Sequence, residues 1–157
     1  MKKESKEKEL KKFFNLSYGE KAPSRKEWES LYNTQVKFID PTQEKNGIDA
    51  YIKAQDGLIK RCDDIYLESH SIAINKNIAF VEWTMGLKIK GLEFLYDGTT
   101  RLIFDEEGKV KEHRDYFDFC SGTFGNIPLI GAFFRWLYSC LLYTSDAADE
   151  GLGVDLG

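Results

Sequence analysis

The run Glu112-His113-Arg114-Asp115-Tyr116-Phe117-Asp118 gathers an imidazole, a guanidinium, a phenol and several carboxylates into what reads as one β-strand. Side chains alternate across a strand, so His113, Asp115 and Phe117 share one face and Arg114, Tyr116 and Asp118 the other. An imidazole and a carboxylate on a core-facing side form either a structural polar cluster or an acid–base site. Two residues apart, their backbones lie roughly 6–7 Å from one another, near enough for the carboxylate to orient the ring or hold its charge. A further carboxylate, Asp40, stands at a predicted strand end just before Pro41. Asp before Pro commonly initiates a turn. As a general base it would need an apolar pocket within reach of a substrate proton.

Other chemistries find less support. The three cysteines, Cys62, Cys120 and Cys140, have no metal-ligand spacing and read as reduced thiols. Gly122, Gly125 and Gly131 lack the pattern of a phosphate-binding loop. Only His70 and His113 are histidines, and a metal centre needs three convergent ligands, so neither metal nor cofactor is expected. Residues 140–157, beginning Cys140-Leu141-Leu142-Tyr143-Thr144-Ser145-Asp146-Ala147-Ala148-Asp149-Glu150, resemble a translated sequencing adapter and are set apart as a non-native tail. That tail holds four of the 26 acidic residues and none of the 22 basic ones, so the rest of the chain is near neutral. A neutral chain without a basic patch points away from nucleic acid. No stretch approaches the roughly 18 apolar residues of a membrane span. The charged start Met1-Lys2-Lys3-Glu4-Ser5 does not read as a signal peptide, which leads to a cytoplasmic expectation.

The elements that must position these groups follow from periodicity. Leu10, Phe13, Phe14 and Leu16 form a helical stripe that closes near Gly19. Ser24 and Glu27 have capping-box spacing and open a helix through Trp28, Leu31 and Tyr32. Val36–Asp40 alternates as a short strand. Gly47 precedes a helix from Ile48 to about Cys62, with Ile48, Tyr51, Ile52, Leu58 and Ile59 inward. The period then switches to two. Strands are expected over Ile65–Ile74, Ile78–Ile89, Leu92–Phe104 and Lys109–Phe119, with turns at Asn75-Lys76-Asn77, Lys90-Gly91 and Gly108. Residues 122–128 read as a loop. Ile127–Tyr138 reads as an apolar helix that either packs on the sheet or serves a membrane or dimer contact. Helices followed by antiparallel strands make an α+β domain over residues 8–139, preceded by a charged extension at 1–7.

The segments Leu31-Tyr32, Phe38-Ile39-Asp40-Pro41, Gly47, Phe104-Asp105-Glu106-Glu107-Gly108-Lys109-Val110 and Tyr116-Phe117, in that order and spacing, resemble the nuclear-transport-factor-2-like superfamily. The likeness is nearest to its SnoaL-like and ketosteroid-isomerase-like branch. It implies a cystatin-like cone, a curved antiparallel sheet wrapped around N-terminal helices, with a C-terminal helix and an interior that binds a small apolar ligand. Asp40 matches the isomerase's base. The isomerase's oxyanion-hole tyrosine and aspartate fall at Phe13 or Phe14 and at Thr100, so neither donor carries over. The similar polyketide cyclases use an aspartate and a histidine inside the same cone. The implied chemistry is therefore cofactor-free isomerase-, cyclase- or hydrolase-type proton transfer. Asp40 would be the base, His113 the acid and Asp115 the group orienting His113, with Tyr32, Trp83 and Phe117 lining the pocket. The alternative is a non-catalytic ligand-binding or homodimerising module. A cavity of at least about 300 Å³ would support ligand binding, and a cone filled by Phe and Trp would favour the module.

Overall fold

The computed structural model describes residues 3–16, 22–125, 127 and 129–142. The chain divides into two compact units, residues 1–119 and 120–157. In the first, helices α1 (Lys3–Leu16) and α2 (Arg25–Leu31) precede strands β1 (Tyr32–Asp40) and β2 (Gln43–Asn46). Helix α3 (Ile48–Ile59) then leads into four long strands, β3 (Asp64–Asn75), β4 (Ile78–Ile89), β5 (Leu92–Phe104) and β6 (Val110–Phe117).

One curved, open six-stranded sheet results, in the order β2-β1-β6-β5-β4-β3. Neighbours pair antiparallel except β1 and β6, which are parallel with Phe38 opposite His113. That parallel pair corrects the all-antiparallel expectation. Its two strands are separated by a long stretch of chain, which is the connection parallel pairing requires. Register shifts occur between Ser69 and Ile72 and between Ile103 and Phe104. An extra residue at such a point bends the strand and re-aims its side chains.

The inner face of the sheet meets all three helices in one core. Val36, Phe38, Val81, Trp83, Leu102, Phe104 and Val110 from the strands pack with Leu10, Phe14, Trp28, Leu31, Ile48 and Tyr51. Helix α2 starts as the capping box requires: Ser24 Oγ accepts from the Glu27 amide, and the Glu27 carboxylate accepts from the Ser24 amide at 2.8 Å. Three hairpins close through left-handed residues: Lys76, Lys90-Gly91 and Gly108.

Several boundaries differ from expectation. Tyr32 ends no helix but opens β1, four residues before the predicted strand start. Strand β2 was not anticipated, and α3 stops at Ile59 rather than Cys62. The last strand ends at Phe117 rather than Phe119, and α4 (Phe119–Phe124) forms there and runs into the start of the loop expected at 122–128. The second unit contains α5 (Ile130–Leu142), in which the rings of Phe124 and Phe134 stack at 5.3 Å and Phe133, Trp136 and Leu141 are exposed. No described helix is long and apolar enough to cross a membrane. Gly19 and residues 143–157 lie outside the described residues.

Candidate functional site

The inward residues of β6 open onto a cavity of about 230 Å³ between the sheet and the helices. Asp40, Tyr32, Trp83, His113, Asp115 and Phe117, the six residues singled out above, all line it. Tyr51 and Gln55 of α3, Thr100 and Tyr96 of β5, Thr42 and Gln43 of the β1–β2 turn, and Arg61 complete its polar wall. Among the described lining residues, Arg61 carries the only permanent positive charge. Apolar cavities of roughly 150 Å³ accept a benzene-sized guest, and drug-sized sites run from roughly 300 Å³ upward. The volume falls short of the 300 Å³ mark set above and suits a ligand of one or two small rings.

His113 sits deep, 4% exposed, with its ring among those of Phe14, Tyr32, Phe38 and Tyr51 at centroid distances of 5.1–6.3 Å. Both of its nitrogens are engaged. Nε2 lies 2.8 Å from Asp115 Oδ1, and Nδ1 lies 2.8 Å from the Tyr32 hydroxyl. A carboxylate only accepts, so Nε2 carries the proton and, in the neutral ring, Nδ1 accepts from Tyr32. The Tyr51 hydroxyl stands further off, 3.5 Å from Nδ1 and 3.4 Å from the Tyr32 oxygen.

Asp115 is better exposed than His113, its side chain 17% accessible against 6%. Its Oδ1 takes both protein donors, His113 Nε2–H and the Thr100 hydroxyl at 2.5 Å. Its Oδ2 has no hydrogen-bond partner among the described residues. Thr100 in turn accepts from Trp83 Nε1–H at 2.8 Å. One continuous hydrogen-bonded line therefore runs from β1 to β4: Tyr32, His113, Asp115, Thr100, Trp83. Low local polarity strengthens each of these bonds and raises the cost of breaking one.

Asp40 is held differently. Its Oδ1 accepts from the Thr42 amide, the Thr42 hydroxyl and the Gln43 amide, and its Oδ2 from Gln43 Nε2 at 3.0 Å. This is the turn that joins β1 to β2. The carboxylate thus shapes the cavity's rim while four donors occupy it.

Thr100 and Tyr51 escaped sequence reasoning as site residues. Thr100 was legible through the β5–β6 hairpin, in which it stands directly opposite Asp115. Tyr51 was legible as a phenol on an inward helical stripe, whose hydroxyl needs a partner once buried. Cys62 offers no nucleophile, since burial pushes its thiol pKa up. No group of three metal-ligating side chains occurs among the described residues.

An open curved sheet clasping helices, with a polar line at the base of an aromatic cavity, defines a cone-fold pocket protein. A profile of the SnoaL-like domain matches residues 12–113, and the chain belongs to that family. No functionally curated protein matches significantly. Solved structures share the fold. An NTF2-like protein of unknown function from Exiguobacterium sp. 255-15 is 21% identical, with a TM-score of 0.60 over 71% of this chain and 98% of that one. A hypothetical protein with a ketosteroid isomerase-like fold from Catenulispora acidiphila, in complex with trimethylamine, is 14% identical (TM-score 0.61; 71% and 86% covered). An LEH-like epoxide hydrolase from M. tuberculosis is 15% identical (TM-score 0.61; 87% and 94% covered).

Proposed function

We propose that the cavity binds a small, mostly apolar molecule and that Asp115 moves a proton on it without a cofactor. The observation that carries this reading is the division of labour within one carboxylate. Oδ1 is fixed by His113 and Thr100, while Oδ2 is left to the cavity. An oriented carboxylate in a mostly apolar wall has the geometry of a general base. Both ring nitrogens of His113 are committed to the protein, so His113 orients Asp115 and backs its charge rather than touching the ligand. This reverses the roles expected from the sequence, and it leaves Asp40 as a rim and turn residue.

The step balances simply. A C–H bond next to a carbonyl breaks, its proton passes to Asp115 Oδ2, and the electron pair moves onto the carbonyl oxygen as an enolate. In a β,γ-unsaturated ketone, return of the proton to the γ-carbon of the dienolate isomerises the ligand. Alternatively, attack of the enolate carbon on a second carbonyl closes a ring, and the alkoxide so formed takes the proton back from Asp115. Arg61 is the group suited to hold the charge left on the ligand's oxygen.

Solvent deuterium reports this chemistry directly. Small cyclic ketones that raise the melting temperature are incubated with protein in D2O, and loss of their α-proton signals is followed by NMR. Exchange above the buffer rate is expected, with a drop of about a hundredfold or more in Asp115→Asn. Ligands that bind and never exchange would refute proton transfer.

One observation favours the second reading, a ligand-binding module without turnover. The imidazole is satisfied internally on both sides, as structural polar clusters are. Homodimerisation belongs with that reading and is read by sedimentation.

A further inference from the structure

We infer that Trp83 is a positioning residue, seated on Gly98, that aims the Thr100 hydroxyl at Asp115 and so links the fit of the ligand to the strength of the base. The inference rests on the proton-transfer reading above. It gives Trp83 a second role besides forming the cavity wall.

The sheet register places the parts. Trp83 of β4 stands opposite Gly98 of β5, which stands opposite Phe117 of β6. One residue pair along the same face, Val81, Thr100 and Asp115 form the next row. Thr100 is therefore the diagonal neighbour of Trp83, roughly 7–8 Å away at the backbone, a gap that an indole spans. The ring must lie across β5 to do so, and Gly98 makes that possible. A Cβ on Gly98 would stand 2.5 Å from the Trp83 ring and 2.9 Å from the Tyr116 carbonyl oxygen. Trp83 is 3% exposed and the Tyr116 oxygen is backbone, so neither can simply step aside. Phe117 flanks the indole at 5.9 Å between centroids.

Direction follows from counting protons. A threonine hydroxyl donates one hydrogen and accepts through two lone pairs. Trp83 Nε1–H occupies an acceptor position on Thr100 Oγ1. The remaining hydrogen then turns to Asp115 Oδ1. Without the indole N–H the hydroxyl is free to rotate, and Asp115 loses the constancy of one of its two donors. Trp83 and Asp115 line the same cavity, so a ligand pressing on the indole acts on the hydroxyl that holds the base. A ligand too small to touch Trp83 would be turned over less well than one that packs against it.

Trp83→Phe keeps an aromatic ring at this position but removes the N–H together with the outer part of the indole that sits on Gly98. It is therefore read beside Thr100→Val, which removes the hydroxyl and leaves the indole in place. With a ketone that exchanges in D2O, kcat is expected to fall about tenfold in Trp83→Phe, and in Thr100→Val, which leaves the indole wall intact, KM is expected to stay within about twofold. Thr100→Val should lower kcat at least as much. The double variant should fall no further than Thr100→Val alone, because both changes remove one line of contact. Urea midpoints check that every variant is folded. The indole N–H resonance of Trp83 supplies a readout independent of turnover: it should move upfield in Thr100→Val. A kcat in Trp83→Phe equal to wild type, or multiplying losses in the double variant, would overturn the inference alone. An unmoved indole resonance would do the same. Absence of exchange in wild type instead removes the proton-transfer reading and takes this inference with it.

Discussion

Three hydrogen-bonding atoms in the core make a quantitative prediction about reserve donors. In the neutral ring His113 Nδ1 has one lone pair and two phenols near it, Tyr32 at 2.8 Å and Tyr51 at 3.5 Å. Only one can donate at full strength, and Tyr32 holds that place. Tyr32→Phe removes the donor and keeps the ring in its fully buried position. Tyr51 can then close from 3.5 Å to ordinary hydrogen-bond length, so the single change should cost about 1 kcal/mol. Tyr51→Phe alone gives up two long contacts, to His113 Nδ1 and to the Tyr32 oxygen, and should cost about 0.5–1 kcal/mol. The double variant leaves Nδ1 buried with neither donor, which adds the desolvation penalty of an unpaired acceptor, about 1–3 kcal/mol. The pair should therefore cost about 3 kcal/mol, well above the sum of the singles, a coupling of about 1–2 kcal/mol. Urea denaturation of the four proteins with a common m-value measures it. Additivity within about 0.5 kcal/mol would refute the claim that Tyr51 stands in reserve for Tyr32.

Two further outcomes separate the roles of the carboxylates. Asp40→Asn keeps an acceptor for Thr42 and turns an amide N–H toward Gln43 Nε2. Its stability should fall by about 1 kcal/mol, while deuterium exchange stays within about threefold of wild type; a hundredfold loss of exchange in a folded Asp40→Asn protein would return the base to Asp40. Asp105 ties β1 to the β5–β6 hairpin, and hydrogen bonding from the Asn33 side chain holds its carboxyl pKa below the ordinary value, helped by the Lys109 and Glu107 amides. A pKa lowered on folding adds stability above the ordinary carboxylate range and loses it as pH falls through the folded value. Asn33→Ala should accordingly lower the urea midpoint at neutral pH and flatten its decline between roughly pH 5 and 3. An unchanged acid slope would show that the backbone amides alone hold this carboxyl down.

Much of the scaffold was legible because local signals agreed with one another. Strands β4 and β5 match expectation at both ends, since alternation over Ile78–Ile89 and Leu92–Phe104 is bounded by Lys90-Gly91, which takes left-handed angles. Ser24 and Glu27 likewise fixed the start of α2. What escaped depended on distant partners. Strand β2 is Gln43-Glu44-Lys45-Asn46, with no apolar alternation, and exists because β1 pairs with it across the Asp40 turn. Leu31-Tyr32 fits a helical stripe as well as a strand start, and the parallel match with β6 decides for the strand.

The site shows the same limit in sharper form. Strict alternation from Val110, which is fully buried, would turn Glu112 and Arg114 inward and His113 outward. Alternation counted back from Phe117 gives the opposite answer, and the two cannot both hold along a regular strand. The structure resolves the conflict with a bulge. Phe104 pairs with Val110, but Ile103 already pairs with Glu112, so Lys111 has no partner on β5. That one extra residue rephases the strand. Beyond it Leu102 meets His113 and Thr100 meets Asp115, so imidazole, hydroxyl and carboxylate arrive on the inner face together. A protein with Lys111 deleted would keep its hairpin turn and its hydrophobic pairs near Val110. It would also keep His113 and Asp115 inward, because without Lys111 regular alternation from Val110 reaches His113 at the second residue. The full-length strand paired without its bulge is what would swing Glu112 and Arg114 into the cone, where their charges would have to be buried. The cost of burying those charges fixes the register, and the register is what brings His113, Thr100 and Asp115 together.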